Sequence, residues 1–108
     1  MEILLGIQYL HSKNIIYRDI KPENIMINAN GDLKIADFGL SRQDIHGSEL
    51  TYTFCGSPEY MSPEMLSKSG HTFSVDYYGL GALLYELVIG SPPFYSRDVE
   101  KIYYSIQN

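Results

Sequence analysis

The segment Tyr17-Arg18-Asp19-Ile20-Lys21-Pro22-Glu23-Asn24, followed thirteen residues past Asn24 by Asp37-Phe38-Gly39, decides how the chain is read. Pro22 forbids a continuous helix through the first of these, so its charges belong to an irregular loop. Asp19 and Asn24 share that loop, with Lys21 between them. Asp and Asn oxygens suit a hard cation such as Mg²⁺, which binds through one or two carboxylates plus substrate phosphates. Lys21 puts positive charge near a transferring phosphoryl group, and Asp19 remains as a candidate base. The set asks for phosphoryl transfer, a reaction in which positioning and charge neutralisation do most of the catalysis.

The elements around this loop follow from periodicity and punctuation. Ile3, Ile7 and Leu10 recur on one face, widened by Leu4, and predict a helix over 2–12. Ser12-Lys13-Asn14 ends it, with Asn14 able to take the left-handed conformation. Ile25 to Asn28 reads as a short apolar strand, Asn30-Gly31 as a hairpin turn, and Leu33 and Ile35 as the inward residues of the return strand. From Gly39 to about Ser62 the chain is polar and turn-rich, with Gly47, Gly56 and Pro58; loops of that length are commonly functional. Pro63 to Leu66 suits a short helix with proline in its first turn. Residues 73–89 are apolar nearly all round and predict a buried helix, stopped by Gly90 and Pro92-Pro93. Ser96 is read as the cap of a last helix over 97–107.

Composition narrows the class. The 108 residues carry 8 Lys+Arg against 13 Asp+Glu, a net charge of −5, which argues against a nucleic-acid module or an anionic-membrane binder. Hydrophobic content of 44% argues against intrinsic disorder. Cys55 is the single cysteine, so an internal disulfide is impossible and an intracellular, cytoplasmic setting is expected. The most apolar stretch, 77–90, is too short to span a membrane and contains Glu86. Glu2 stands where a secretory leader would be basic. Helical spacing that begins at the second or third residue, without a cap, reads as the interior of something longer.

Asp19, Lys21 and Asn24, then Asp37-Phe38-Gly39, then Ser62-Pro63-Glu64 together resemble the protein kinase signature set in order and spacing. Lys21 two residues after Asp19 is the serine/threonine pattern. Tyr17 at the first motif position, with Thr53-Phe54-Cys55-Gly56-Ser57-Pro58-Glu59-Tyr60, resembles the AGC group, the cAMP-dependent protein kinase and its relatives. The resemblance implies an α+β, protein-kinase-like fold over 1–108: a mainly helical C-lobe portion with a small β-hairpin and without the N-lobe.

That resemblance implies roles for individual residues. Asp19 would accept or orient the substrate hydroxyl, Lys21 would contact the γ-phosphate of ATP, and Asn24 and Asp37 would hold Mg²⁺. Ser57 would bridge Asp19 and Lys21. Met26 and Ala36 would floor the adenine pocket, and Phe38 and Gly39 would set the geometry of Asp37. Thr53 matches a regulatory phosphosite, modified by an upstream activating kinase and gripped by Arg18 and Arg42. Glu23 and Glu86 would bind arginines of a basic protein substrate, and Phe54, Pro58 and Met61 would line an apolar pocket for the residue after the phosphorylated one. Asp76 would cap the loop backbone from below, with Tyr78 in place of the usual tryptophan and Gly81 structural. Glu64 would lack its distant arginine. The glycine-rich loop and the lysine–glutamate pair of a complete kinase are not among these residues, so the 108-residue chain alone is expected to be inactive. The alternative is a truncated chain that acts at most as an interaction module.

Overall fold

The computed structural model describes residues 2–45 and 50–108; Gly47 of the expected long loop lies outside them. Helix α1 runs Glu2–Ser12, and Asn14 takes the left-handed conformation (φ 59°), as the sequence pattern anticipates. Ile7 is fully buried and, with Tyr17, Ile20 and Leu83, forms one core cluster, flanked by Ile3, Leu10, Ile25, Ile35 and Leu80. Truncating Ile7 or Leu83 to alanine would therefore empty the space directly behind the loop.

Strands β1 (Ile25–Ile27) and β2 (Leu33–Ile35) pair antiparallel, Met26 opposite Lys34. The first strand stops one residue short of the expected Asn28. The Asn28 side chain is needed in the turn, where its Oδ1 accepts from the backbone N–H of Asn30 (3.0 Å) and Asp32 (2.9 Å). Gly31 closes that turn at φ 85°, a conformation that favours glycine.

The second core cluster gathers Ile16, Ile45, Met61, Met65 and Val75, with Leu66, Phe73 and Tyr103 against it. Helix α2 is Pro63–Leu66, capped by Ser62, and α3 is Ser74–Ile89, ended by left-handed Gly90 (φ 96°). Val75, Asp76, Gly79, Ala82 and Leu83 of α3 are buried. The expectation of burial all round does not hold: Leu87 and Val88 are 68% and 74% exposed. Helix α1 and the loop cover only one side of α3, and the described residues offer nothing to the other. Gly79 is close-packed, since a Cβ there would stand 3.1 Å from Ile20 Cβ, whereas a Cβ on Gly81 would meet nothing within 4 Å.

The long polar stretch is tied down at two places. Ile16 and Arg42 form one backbone bridge, and Thr51 and His71 form another. Helix α4 is Val99–Gln107, starting two residues later than expected. Asp98 caps it, accepting from Glu100 N–H (3.1 Å), while Ser96 Oγ accepts from Asp98 N–H (3.1 Å) and belongs to the preceding turn. Asp98→Ala is expected to cost about 1 kcal/mol and Ser96→Ala clearly less, measured by urea denaturation. The reverse order would restore Ser96 as the cap.

Candidate active site

The loop of residues 17–24 is held from below by a single carboxylate. Asp76, 1% exposed near the start of α3, accepts from Tyr17 N–H (2.8 Å), Arg18 N–H (2.7 Å) and His11 Nε2 (2.8 Å). Those bonds hold Arg18 at φ 70°, unusual for a residue with a side chain. The bend turns the chain so that Asp19 faces its own loop. His11 is placed between the rings of Phe73 and Tyr77, at 4.8 and 5.3 Å. The loop-capping role expected of Asp76 is thus visible, but the third donor, His11, was not anticipated. Its only sequence signal is its place at the last turn of α1.

Asp19 is 7% exposed. Its Oδ2 accepts from Asn24 Nδ2 (2.8 Å), which also donates to the Asp19 carbonyl (2.8 Å). Asp19 Oδ1 is buried with no hydrogen-bond partner, and Lys21 Nζ stands 3.7 Å from it. Lys21 Nζ itself donates to Ser57 Oγ (2.9 Å). Ser57 therefore anchors Lys21 but does not bridge to Asp19 through a hydrogen bond. Leaving a buried carboxylate oxygen unpaired is costly, so the arrangement suits an incoming hydroxyl donor.

The hairpin carries the second half of the site. Ala36 N–H donates to Asn24 O (2.8 Å), which places Asp37 one residue past the end of the loop. Asp37 is exposed at φ 58°, and its Oδ1 accepts from Gly39 N–H (3.2 Å). Tyr17, fully buried, donates its hydroxyl to the Ala36 carbonyl and meets Phe38 edge-on at 5.4 Å. Burial, then the charges of Asp19 and Asp37, pushes the Tyr17 phenol far above its ordinary value, so it stays a donor. This link between the loop and Asp37 was missed, because nothing in the sequence reports which carbonyl a buried tyrosine reaches. The β1–β2 pairing turns Met26, Lys34 and Ala36 to the face opposite Ile25 and Ile35, with Met26 and Ala36 diagonal neighbours.

Glu23, Glu59 and Glu86 border one groove of about 230 Å³, together with Lys21, Ser57 and Tyr60. Tyr60 donates its hydroxyl to Glu86, and burial with that bond raises the Tyr60 phenol well above the ordinary range. Phe54, Pro58 and Met61 do not form one open pocket. Met61 is 3% exposed and packs in the core, because Gly56 and the chain after it turn it inward. Phe54 instead faces outward, edge-on to Tyr103 (6.2 Å) with Lys68 Nζ over its ring (5.3 Å).

Thr53 is exposed, and among the described residues no hydrogen bond joins it to Arg18 or Arg42. Arg18 Nε donates to Leu40 O (2.8 Å), and Arg42 is exposed. Burial raises the Cys55 thiol, so it stays protonated near neutral pH, in keeping with a packing residue.

The protein kinase domain family matches residues 1–108. The chain is 50% identical over 107 residues to serine/threonine-protein kinase sgk-1 of Caenorhabditis elegans, covering 99% of this chain and 23% of that protein. It is 49% identical over 107 residues to serine/threonine-protein kinase Sgk1-B of Xenopus laevis, covering 99% and 25%. It is 47% identical over 106 residues to the delta type of protein kinase C of Homo sapiens, covering 98% and 16%. The chain belongs to the protein kinase domain family. It is a segment of a serine/threonine-type catalytic domain, and it spans a quarter or less of the length of these relatives.

Kinases of this family use ATP and Mg²⁺. Asn24 and Asp37 offer hard oxygen donors at the junction of loop and hairpin, the donor chemistry that Mg²⁺ takes between protein and phosphates. Among the described residues no cluster of three His, Cys, Asp or Glu side chains could hold a metal. No helix among them is long and apolar enough to cross a membrane.

Proposed function

We propose that this segment supplies the catalytic loop and metal-binding residues of a serine/threonine kinase that transfers the γ-phosphoryl group of ATP to hydroxyls of basic proteins. The observation that carries the reading is Asp19 Oδ1, buried and without a hydrogen bond, ion-paired with Lys21 Nζ at 3.7 Å, with its partner oxygen braced by Asn24. A substrate hydroxyl donating to Oδ1 is oriented for attack and gives up its proton there as the new O–P bond forms and the β–γ bond breaks. Lys21, steadied by Ser57, neutralises the oxygens of the moving phosphoryl group. Asn24 and Asp37 would hold Mg²⁺, which would supply charge neutralisation on the phosphates. Met26 and Ala36 present a small apolar face against which a purine ring fits.

Glu23 and Glu86 converge on the groove beside Lys21, which supports a cationic peptide as substrate. Thr53 is the site of a regulatory phosphate supplied by an upstream kinase. Arg18 and Arg42 are its cationic partners, since a phosphate adds about −1.5 to −2 of charge that arginine pairs with bidentately. The lysine–glutamate pair that phosphoryl transfer also needs is not among these 108 residues, so the isolated chain transfers nothing.

The test is a chimera in which residues 1–108 replace the matching segment of a related serine/threonine kinase. Phosphorylation of a serine peptide with upstream arginines, and weaker phosphorylation of an acidic one, are expected. A folded chimera that binds Mg-ATP and phosphorylates neither peptide would sink the reading.

A further inference from the structure

Asparagine followed by glycine occurs once in the chain, at Asn30-Gly31 in the turn between β1 and β2. The other internal asparagines precede residues with side chains: Asn14-Ile15, Asn24-Ile25 and Asn28-Ala29. The side-chain amide of asparagine is an electrophile, and the main-chain nitrogen of the next residue is the nucleophile best placed to reach it. Glycine presents that nitrogen with no Cβ in the way. Asn30 and Gly31 are both exposed, and a Cβ added to Gly31 would meet nothing within 4 Å, so packing does not shield the pair.

The fold treats its asparagines differently. Asn28 is locked: its Oδ1 accepts from the N–H groups of Asn30 (3.0 Å) and Asp32 (2.9 Å), and its Nδ2 donates to Asp32 Oδ2 (3.0 Å). Asn24 is buried, with Nδ2 donating to both oxygens that Asp19 offers it. Among the described residues no hydrogen bond holds the Asn30 side chain. The Gly31 N–H donates to the Asn28 carbonyl (3.0 Å), and that bond has to open before the nitrogen attacks. Paired strands of three residues each are marginal by themselves, and an exposed turn opens at small cost. The turn therefore slows the attack without preventing it.

We propose that Asn30 is a site of spontaneous deamidation, and that its isoaspartate product unlatches the β1–β2 hairpin. The Gly31 nitrogen loses its proton to solvent hydroxide and bonds to Asn30 Cγ. The Cγ–Nδ2 bond breaks, ammonia leaves, and a cyclic imide remains. Water then opens the imide, with no oxidation or reduction. Addition of water at Cγ leaves an ordinary aspartate; addition at the main-chain carbonyl carbon leaves isoaspartate, whose main chain runs through the side-chain methylene. The chain between residues 30 and 31 thereby gains a carbon. The bonds from Gly31 N–H to Asn28 O and from Asp32 N–H to Asn28 Oδ1 then cannot both close in the present register. Either product also adds a negative charge to a corner that already holds Asp32 and Glu2, whose Oε2 accepts from Leu33 N–H (3.3 Å). Ala36, directly after β2, donates to the Asn24 carbonyl (2.8 Å), so loosening of the hairpin reaches the residue before Asp37. The modification itself is independent of the catalytic reading of the loop.

The experiment incubates the chain in mildly alkaline buffer, folded and in urea, and follows its proteolytic peptides by mass spectrometry. Isoaspartate is detected by carboxyl methylation with an isoaspartate-specific methyltransferase. The peptide that carries Asn30-Gly31 is expected to convert first and to become a methyl acceptor, at a rate that grows with hydroxide and is slower folded than in urea. Asn30→Gln is expected to lose that product. Conversion in the folded chain no faster than at Asn14, Asn24 and Asn28 would overturn the site. Amide hydrogen exchange at Asn28, Gly31 and Asp32 then separates added charge from added chain. The isoaspartate fraction is expected to exchange faster at these amides than both the fresh chain and the Asn30→Asp variant. Equal exchange in the isoaspartate fraction and in Asn30→Asp would overturn the unlatching.

Discussion

Asp19→Ala, in a kinase domain that carries residues 1–108, lowers peptide phosphorylation by about 10²–10⁴-fold and leaves nucleotide affinity within about twofold. The split follows from what each atom of Asp19 touches. The side chain removed includes Oδ1, the acceptor without a hydrogen bond in the protein. What positions the nucleotide-side residues survives the change. Asn24 Nδ2 keeps its second acceptor, the carbonyl of residue 19 (2.8 Å), and Lys21 Nζ keeps Ser57 Oγ (2.9 Å). Loss of transfer with affinity retained is the result expected of a group that acts on the hydroxyl in the transition state. Equal loss of both, measured by peptide phosphorylation and nucleotide titration, would mean that Asp19 organises the nucleotide site instead.

Asp76→Ala has the largest expected effect on stability, about 3–5 kcal/mol. It strips the acceptor from two backbone N–H groups and from His11 at a position 1% exposed. Small domains are stable by only about 5–15 kcal/mol, so the variant is expected to melt far below the parent or to populate unfolded chain at room temperature. Asp76→Asn fares little better, because its amide nitrogen confronts one of the same donors. His11→Ala, which removes the third donor with its ring, is expected to cost about 1 kcal/mol. Denaturant midpoints rank the three. An Asp76→Ala variant as stable as the parent would show that the loop holds its shape through packing alone.

The local grammar of the chain was readable wherever a residue acts on its immediate neighbours. Pro22 breaking the loop, Asn14 turning left-handed, Gly90 stopping a helix and Pro63 opening a short one are such effects. That Asp19, Lys21 and Asn24 lie close together was readable because spacing along one loop fixes spacing in space. What could not be read depends on the third dimension. Met61 fills the core rather than a substrate pocket, because the turn at Gly56 decides which way it points. Ser96 and Asp98 are both good caps, and the choice rests on where the chain after Pro93 can begin a helix. Helix α3 is apolar on every side, so periodicity could not tell its covered face from the open one.

The backbone of Arg18, held at φ 70°, also marks a place where stability and usefulness pull apart. A glycine would take that conformation without strain, and would cost nothing in the bonds that Asp76 makes, since they run to main-chain N–H groups. It would also delete the guanidinium that reaches Leu40 and stands near His71. Relief of backbone strain would favour glycine at this position, while the bond to the Leu40 carbonyl favours the arginine. Stabilisation of this segment should therefore leave residue 18 alone, because the substitution that relaxes its backbone also removes the side-chain bond that ties the loop to Leu40.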